Sequence, residues 1–296
     1  MKPFQIRVPA SSANLGPGFD SVGLALDLPL TVDVSAAEKW EVEQCSPHLS
    51  TDEKPEDNYI VQIAREVATR FDHNLPACKL VIRSDIPLAR GLGSSASAIV
   101  AGIELANQLC ALSLSTDEKL AFGNEIEGHP DNIAPALVGG FVISTAAAGT
   151  VDWVRVPDID TAAVVYIPSQ DLKTEAARQV LPESFPRERA TAASSVSNVL
   201  IASLLSGDVQ LAGKMMENDL FHEPYRAELI PHYNAIRTYA RENGAYGTVI
   251  SGAGPTMLSL FPKTKADAAV HLLKEVLPAY DIKRVKVHQT GVEVSQ

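Results

Sequence analysis

The segment Pro87-Leu-Ala-Arg-Gly-Leu-Gly-Ser-Ser-Ala-Ser97 constrains this chain more than any other. Gly91 and Gly93 strip side chains from a turn, and Ser94 and Ser95 lead straight into an apolar pattern. Ala96, Ile99, Val100, Ile103, Ala106 and Cys110 recur at steps of three and four, which predicts a helix with one buried face. Glycine lets a backbone approach a ligand closely. A first helical turn carries unpaired N–H groups and partial positive charge, a combination that favours phosphate. The pattern is not that of the P-loop hydrolases, because no lysine follows Gly93. Backbone amides and hydroxyls would therefore hold the anion. Taken alone, the segment equally describes a glycine turn that caps a core helix.

The rest of the composition narrows the field. A length of 296 residues suggests about two domains, and an apolar content of 46% is enough for a sizeable core. A formal charge of −11 argues against nucleic acid and anionic membranes as partners. Cys45, Cys78 and Cys110 have no paired or metal-binding spacing, and read as buried or half-buried free thiols in a reducing compartment. The segment from Met1 to Arg7 lacks the apolar core of a signal peptide. The apolar stretch from Ala96 to Leu114 is interrupted by Glu104, Asn107 and Gln108, too polar for a bilayer. The expectation is a soluble, cytoplasmic protein.

Alternation of apolar and polar residues predicts strands around Phe4–Val8, Leu30–Val34 and Leu80–Ile82. A helix is expected from about Asp57 to Arg70. Another opens at Ser115-Thr-Asp-Glu118, a capping-box pattern. Gly139–Ser144 reads as a turn and buried strand, and Val154–Val156 and Ala163–Ile167 as strands. Helices are expected at Glu175–Leu181, Thr191–Leu205, Val209–Asp219 and Glu228–Asn243. Strands at Thr248–Ile250, Leu258–Phe261 and Val285–Val287 close the pattern. Cys45–Glu56 reads as a surface loop. The order suggests an α+β second half, with a boundary between about 145 and 165.

Three further segments carry candidate chemistry. Ser11-Ser-Ala-Asn-Leu-Gly-Pro-Gly-Phe-Asp20 places Asn14 and Asp20 on a sharp turn, where they could also simply bond turn backbone. Glu125-Ile-Glu-Gly-His-Pro-Asp-Asn-Ile-Ala-Pro135 gathers Glu127, His129, Asp131 and Asn132 within six residues. Glu127 with Ser95 would supply the one or two protein oxygens that a nucleotide-bound Mg²⁺ needs. Val249-Ile-Ser-Gly-Ala-Gly-Pro-Thr256 is a second glycine-rich turn between strands, either a plain hairpin or a cover for a ligand.

Together, and in this order, the four segments resemble the GHMP kinase superfamily of small-molecule kinases. Pro87–Ser97 is similar to its phosphate loop. The Ser12–Asp20, His129–Pro135 and Ser251–Pro255 stretches follow the homoserine kinase branch. The resemblance implies an α+β, two-domain fold, with residues 1–155 a nucleotide-binding domain like the second domain of ribosomal protein S5 and residues 156–296 a ferredoxin-like domain. It implies ATP and Mg²⁺, phosphorylation of the side-chain hydroxyl of L-homoserine in threonine biosynthesis, and in many members a homodimer.

By the same resemblance Pro87, Leu88, Ala89, Arg90, Gly91, Leu92, Gly93, Ser94, Ser95, Ala96 and Ser97 would hold the nucleotide, with Asn58 near the adenine. Ser95 and Glu127 would hold the metal. Arg178, in Thr174-Glu-Ala-Ala-Arg178, and Arg226, in His222-Glu-Pro-Tyr-Arg226, would clamp the substrate carboxylate. Asp20 and Asp131 would serve the ammonium, Asn14 and Asn132 the hydroxyl. His129, Thr174, Ser251 and Gly252 complete the substrate set. Asp131, Asn132 and Glu127 are the catalytic candidates, although no lysine partner for a strong base is evident. A mevalonate- or sugar-type acceptor, or an inactive metabolite sensor on the same fold, are the alternative readings.

Overall fold

A computed structural model describes residues 1–47, 54–156 and 159–296. The proline-bearing loop expected at Cys45–Glu56 therefore falls partly outside the described residues, as does part of the expected boundary region.

The first half runs β1 (Phe4–Ala13), β2 (Val22–Ala36), β3 (Glu41–Gln44), α1 (Tyr59–Arg70), β4 (Cys78–Ser84), α2 (Ser94–Leu109), α3 (Thr116–Glu127), α4 (Pro130–Val138), β5 (Phe141–Thr145) and β6 (Asp152–Val156). The second half runs β7 (Ala162–Pro168), α5 (Thr174–Gln179), α6 (Arg187–Ser206), α7 (Val209–Met216), α8 (Glu223–Arg226), α9 (Tyr233–Glu242), β8 (Gly247–Ile250), β9 (Met257–Phe261), α10 (Ala266–Val276), β10 (Tyr280–Val285) and β11 (Glu293–Ser295).

Two sheets result. One follows the order β11-β1-β2-β4-β3, with β5 and β6 extending from β2. Its pairs are antiparallel except β3 with β4. The other has the order β10-β7-β9-β8, all antiparallel. Numbered from β7 onward that order is 4-1-3-2, with helices before the second and fourth strands, which is the ferredoxin-like arrangement the resemblance implied. The final strand β11 returns to pair with β1, so both ends of the chain meet in the first sheet.

β7 shows why the second sheet needs cover on both faces. All of its residues are buried. Ala163, Val165 and Ile167 join the large core that includes the first sheet and α2, whereas Ala162, Val164 and Tyr166 join a second core with α9 and α10 residues. The period of two sends alternate side chains to opposite faces.

The helix entered through Gly93 is buried on more than the single face its sequence period suggests. Ala101 and Leu105 are as fully buried as Ile99 and Ile103. The reason is that α2 packs against α1, α3, α4 and β1. Its polar interruption is internal: Glu104 forms a 2.6 Å ion pair with Lys119 of α3 and accepts from Asn107 and Gln108. Burial alone would raise the Glu104 pKa, but these donors hold the carboxyl below its ordinary value. The Ser115 capping box is present as expected.

Several boundaries differ from the sequence pattern. The single helix expected over Glu228–Asn243 is broken. Pro231 keeps Ile230 extended, at φ −100° and ψ 112°, and His232 adopts a left-handed φ of 56° before α9 starts. The helix expected to reach Asp219 stops at Met216, and the Asp219 carboxylate instead accepts from the His222 and Glu223 N–H groups at the start of α8. The terminal strand expected at Val285–Val287 is β10, ending at Val285, and Val287 makes only an isolated bridge to Leu26. Helix α10 and strand β11 were not anticipated. All three cysteines are free, but Cys45 is exposed rather than buried. Among the described residues, no helix is long and apolar enough to cross a membrane.

Candidate active site

The mouth of α2 is shaped by Gly93. Its φ of 69° is left-handed, and no side chain caps the helix. A Cβ at this position would lie 2.1 Å from Ser11 Oγ and 3.1 Å from Asn132 Oδ1. Only glycine therefore closes the turn while leaving the first-turn amides open. Gly91 is bound as tightly to the second glycine turn, where Ser251 Oγ lies 2.7 Å from Gly91 O and 2.8 Å from Ser12 Oγ.

Two cavities meet at this mouth, and Ser94 and Ser95 line both. The first, of about 570 Å³, is polar. The second, of about 910 Å³, is walled by Leu30, Ile60, Ile82, Ile86, Leu88 and Ala98, with Asn58, Tyr59 and Gln44 at its edge. Asn58 is also the N-cap of α1, its carboxamide oxygen accepting from Ile60 N at 3.2 Å.

The polar cavity collects charge from distant elements. Asn14, Asp20, Glu127, His129, Asp131, Asn132, Thr174, Arg178, Arg226 and Gly252 all line it. Arg178, on α5, donates to Asp20 through two nitrogens, at 2.7 and 3.3 Å. Asp20 sits at φ 53° and Asn14 at φ 72°, and the Asn14 carboxamide stitches the turn by accepting from Asp20 N and donating to Gly252 O. His129 Nδ1 lies 2.8 Å from Asp131 Oδ1, and Asn132 Nδ2 is 3.4 Å from the same oxygen. The other end of that carboxamide, Asn132 Oδ1, accepts from Ser11 Oγ at 2.8 Å. Burial opposes the charged form of His129, but the Asp131 contact outweighs it and raises its pKa.

Arg226 is 2% exposed. Its Nε donates to Ala177 O at 3.0 Å, and its Nη1 faces Gly252 O and His222 Nδ1, each at 3.2 Å. Burial first, then the neighbouring Arg178, lowers its pKa to about 10, so it stays charged at neutral pH. The ring of Phe19 lies beneath both guanidiniums, 5.7 Å from that of Arg178 and 5.3 Å from that of Arg226.

Ser95 Oγ donates to Glu127 Oε2 at 2.9 Å, beside the helix mouth. A hydroxyl and a carboxylate are the hard oxygen donors that Mg²⁺ prefers, so this pair fits the ion. Asp20, His129 and Asp131 also place ligand atoms within 4.8 Å of one another, but two cations, Arg178 and Arg226, line the same cavity.

Of the loop residues singled out in the sequence, Ala89, Gly91, Gly93, Ser94 and Ser95 line the polar cavity, and Leu88 the apolar one. Pro87, Arg90, Leu92, Ala96, Ser97 and Ser251 line neither. Arg90 turns away, donating to the carbonyls of Leu88, Pro168 and Ser169. Ser97 Oγ donates to Pro9 O, and Leu92 is buried. Sequence reasoning did not pick out Ser11, Ser12, Phe19, Tyr59, Glu223 or His222. Ser12, Phe19 and His222 make contacts that span the two halves of the chain, although the runs Ser11–Asp20 and His222–Arg226 both carried a signal.

Comparison with known proteins follows the same lines. The family GHMP kinases N terminal domain matches residues 58–140, and GHMP kinases C terminal matches residues 200–279. A homoserine kinase from Oceanobacillus iheyensis is 49% identical over 298 aligned positions that cover 100% of both chains. A solved structure from Listeria monocytogenes is 43% identical, with a TM-score of 0.87 and 99% of each chain covered. The crystal structure of homoserine kinase from Cytophaga hutchinsonii is 30% identical at a TM-score of 0.85, covering 100% of this chain and 98% of that one.

Proposed function

Since this chain belongs to the homoserine kinase branch of the GHMP kinases, we propose that it transfers the γ-phosphoryl group of ATP to the side-chain hydroxyl of L-homoserine. The observation that carries the acceptor assignment is Arg226. It is a cation with 2% exposure, and the partners it bonds are all neutral. The carboxylates of Asp20, Asp131 and Asp219 act on it only through space, so no anion bonds the buried guanidinium directly and the cavity suits an anionic ligand there. Asp20 and Asp131 on the same cavity suit an ammonium group. Carboxylate and ammonium together describe an amino acid rather than a sugar or mevalonate.

The nucleotide would lie across the helix mouth. Its base enters the apolar cavity beside Asn58 and Tyr59. The phosphates meet the first-turn amides and the hydroxyls of Ser94 and Ser95, with no lysine lining either cavity among the described residues. Ser95 and Glu127 would hold Mg²⁺, which when bound offsets charge on the transferring phosphoryl group.

The protein's own contribution is positioning. Arg178 and Arg226 hold the carboxylate, and Asp20 and Asp131 the ammonium. Asn132 orients the hydroxyl, being fixed itself by Ser11. Thr174, at the start of α5, and Gly252 form the edge of the cavity. Asp131 already takes the His129 ring and the Asn132 amide, an arrangement that suits a fixed binding group better than a mobile base. A loose, in-line transition state puts little demand on early deprotonation, so orientation and charge neutralisation suffice. We place the enzyme in the cytosol and at the homoserine step of threonine synthesis.

An ADP-release assay across L-homoserine, L-threonine, mevalonate and galactose tests this reading. Turnover with L-homoserine at least about tenfold above the others is expected, because mevalonate and galactose lack the ammonium group and L-threonine carries its hydroxyl one carbon nearer the α-carbon. Preference for mevalonate or galactose would overturn it. ATP binding without turnover of any acceptor would point to a sensor instead.

A further inference from the structure

His222 is fully buried and lines neither cavity, yet it touches three parts of the site. Its Nε2 lies 3.0 Å from Gly16 O, on the turn that carries Asp20. Its Nδ1 lies 3.2 Å from Arg226 Nη1, one helical turn along α8. Its ring stacks on Phe19, with centroids 5.3 Å apart and planes inclined by 24°.

The neighbours leave one protonation state. A carbonyl oxygen can only accept, so Nε2 must carry a proton. A guanidinium can only donate, so Nδ1 must be bare. The Asp219 carboxylate, 3.7 Å from Nε2, is too far for a hydrogen bond and is already occupied by the backbone N–H of His222 and Glu223. A second proton would put an imidazolium against the Arg226 cation. Burial likewise favours the neutral ring.

We propose that His222 is a positioning residue for substrate recognition: as the neutral Nε2–H tautomer it ties the Gly16 carbonyl to the Arg226 guanidinium and so aims Arg226 into the polar cavity. The chemistry explains why a histidine stands here. A carboxylate in its place would orient Arg226 but also neutralise it, competing with the incoming substrate carboxylate. A lysine would repel it. A neutral imidazole supplies an acceptor and a donor from one rigid ring, and does not itself neutralise the guanidinium. It also locks the Gly16 turn, and hence Asp20, to the arginine, so the groups for carboxylate and ammonium keep a fixed separation. Gly16 packs closely against the end of α7, since a Cβ there would lie 2.2 Å from Met216 O.

The proposal rests on homoserine as the acceptor, and two variants test it. His222→Phe keeps the stack on Phe19 and removes both hydrogen bonds. Gln offers a donor and an acceptor. His222→Phe is expected to raise the KM for L-homoserine about tenfold to hundredfold, the range for losing a hydrogen bond to a charged group, with the KM for ATP nearly unchanged. His222→Gln is expected to recover most of that loss. An unchanged homoserine KM in folded His222→Phe, or an equal rise in both KM values, overturns the proposal. Should the Phe variant fail to fold, ¹H–¹⁵N spectra of histidine side chains in the wild type decide instead. A neutral Nε2–H signal, assigned by its absence in His222→Gln, supports the proposal, and a Nδ1–H or imidazolium signal at pH 7 overturns it. Wild-type protein that ignores homoserine while showing the Nε2–H signal removes the acceptor assignment, and with it the recognition role.

Discussion

Arg178 Nη2 lies 2.7 Å from Asp20 Oδ1, which joins in one ion pair the two groups assigned to opposite ends of the substrate. A zwitterionic amino acid would replace both halves of that pair at once, taking Arg178 with its carboxylate and Asp20 with its ammonium. The charge of the cavity is then the same before and after binding. Arg226 differs, because its hydrogen-bond partners are neutral and the carboxylates of Asp20, Asp131 and Asp219 act on it only through space.

Arg178→Lys should therefore raise the KM for L-homoserine about tenfold, because a lysine cannot reproduce two parallel N–H donors. The KM for ATP should move little. Steady-state kinetics with each substrate varied in turn checks this, and an unaltered homoserine KM removes Arg178 from the clamp.

Asp131→Asn distinguishes binding from base catalysis. The geometry predicts that the homoserine KM rises by about tenfold or more while kcat falls only a few-fold. A collapse of kcat by about a thousandfold at constant KM would mean that Asp131 removes the hydroxyl proton.

Glu127→Gln should lower kcat by about a hundredfold or more, with partial recovery as Mg²⁺ is raised. Stability should change little, because the Ser95–Glu127 contact is exposed. A magnesium titration of both proteins measures the effect. A variant with the wild-type magnesium dependence would exclude Glu127 as a ligand.

Gly93→Ala should cost roughly 2 kcal/mol or more of stability, combining a left-handed backbone with a Cβ pressed against Ser11 Oγ. The KM for ATP should rise as well. Thermal melts that match the wild type would show that the turn does not need glycine.

Glu223 gives a pH prediction. Burial pushes its carboxyl from 4.5 up to about 7, against hydrogen bonds from Tyr233 and Ile250 that favour the ionised form. A folded-state pKa above the unfolded one contributes stability in full below about pH 4.5, and that stability is lost as pH rises through about 7. The shift corresponds to about 3 kcal/mol. Urea unfolding at pH 5 and pH 8 should show the wild type losing stability relative to Glu223→Gln, and a pH-independent difference would contradict the assignment.

Local signals in the sequence were reliable for caps, tight turns and alternating strands. The capping box at Ser115, the turn at Gly93 and the alternation in β1 and β2 depend on residues a few positions apart. The breaks at Pro231 and Asp219 were misjudged because apolar spacing continues through them while the backbone does not. Of the cavity linings, the glycine loop and the charged residues were legible because they sit in compact motifs. Phe19 and His222 lie inside those motifs, but only the fold brings Phe19 under Arg178 and Arg226 and sets His222 against Gly16.

By itself the sequence determined the family, the helix mouth and the inventory of charges, because these are written in short runs of neighbouring residues. How those charges pair emerges only from the tertiary fold. Asp20 finds Arg178 across a separation of 158 positions, and Gly16 reaches His222 across 206. Whether a buried cation meets a carboxylate or a neutral imidazole depends on how the two sheets close on each other, and no spacing along the chain encodes that distance.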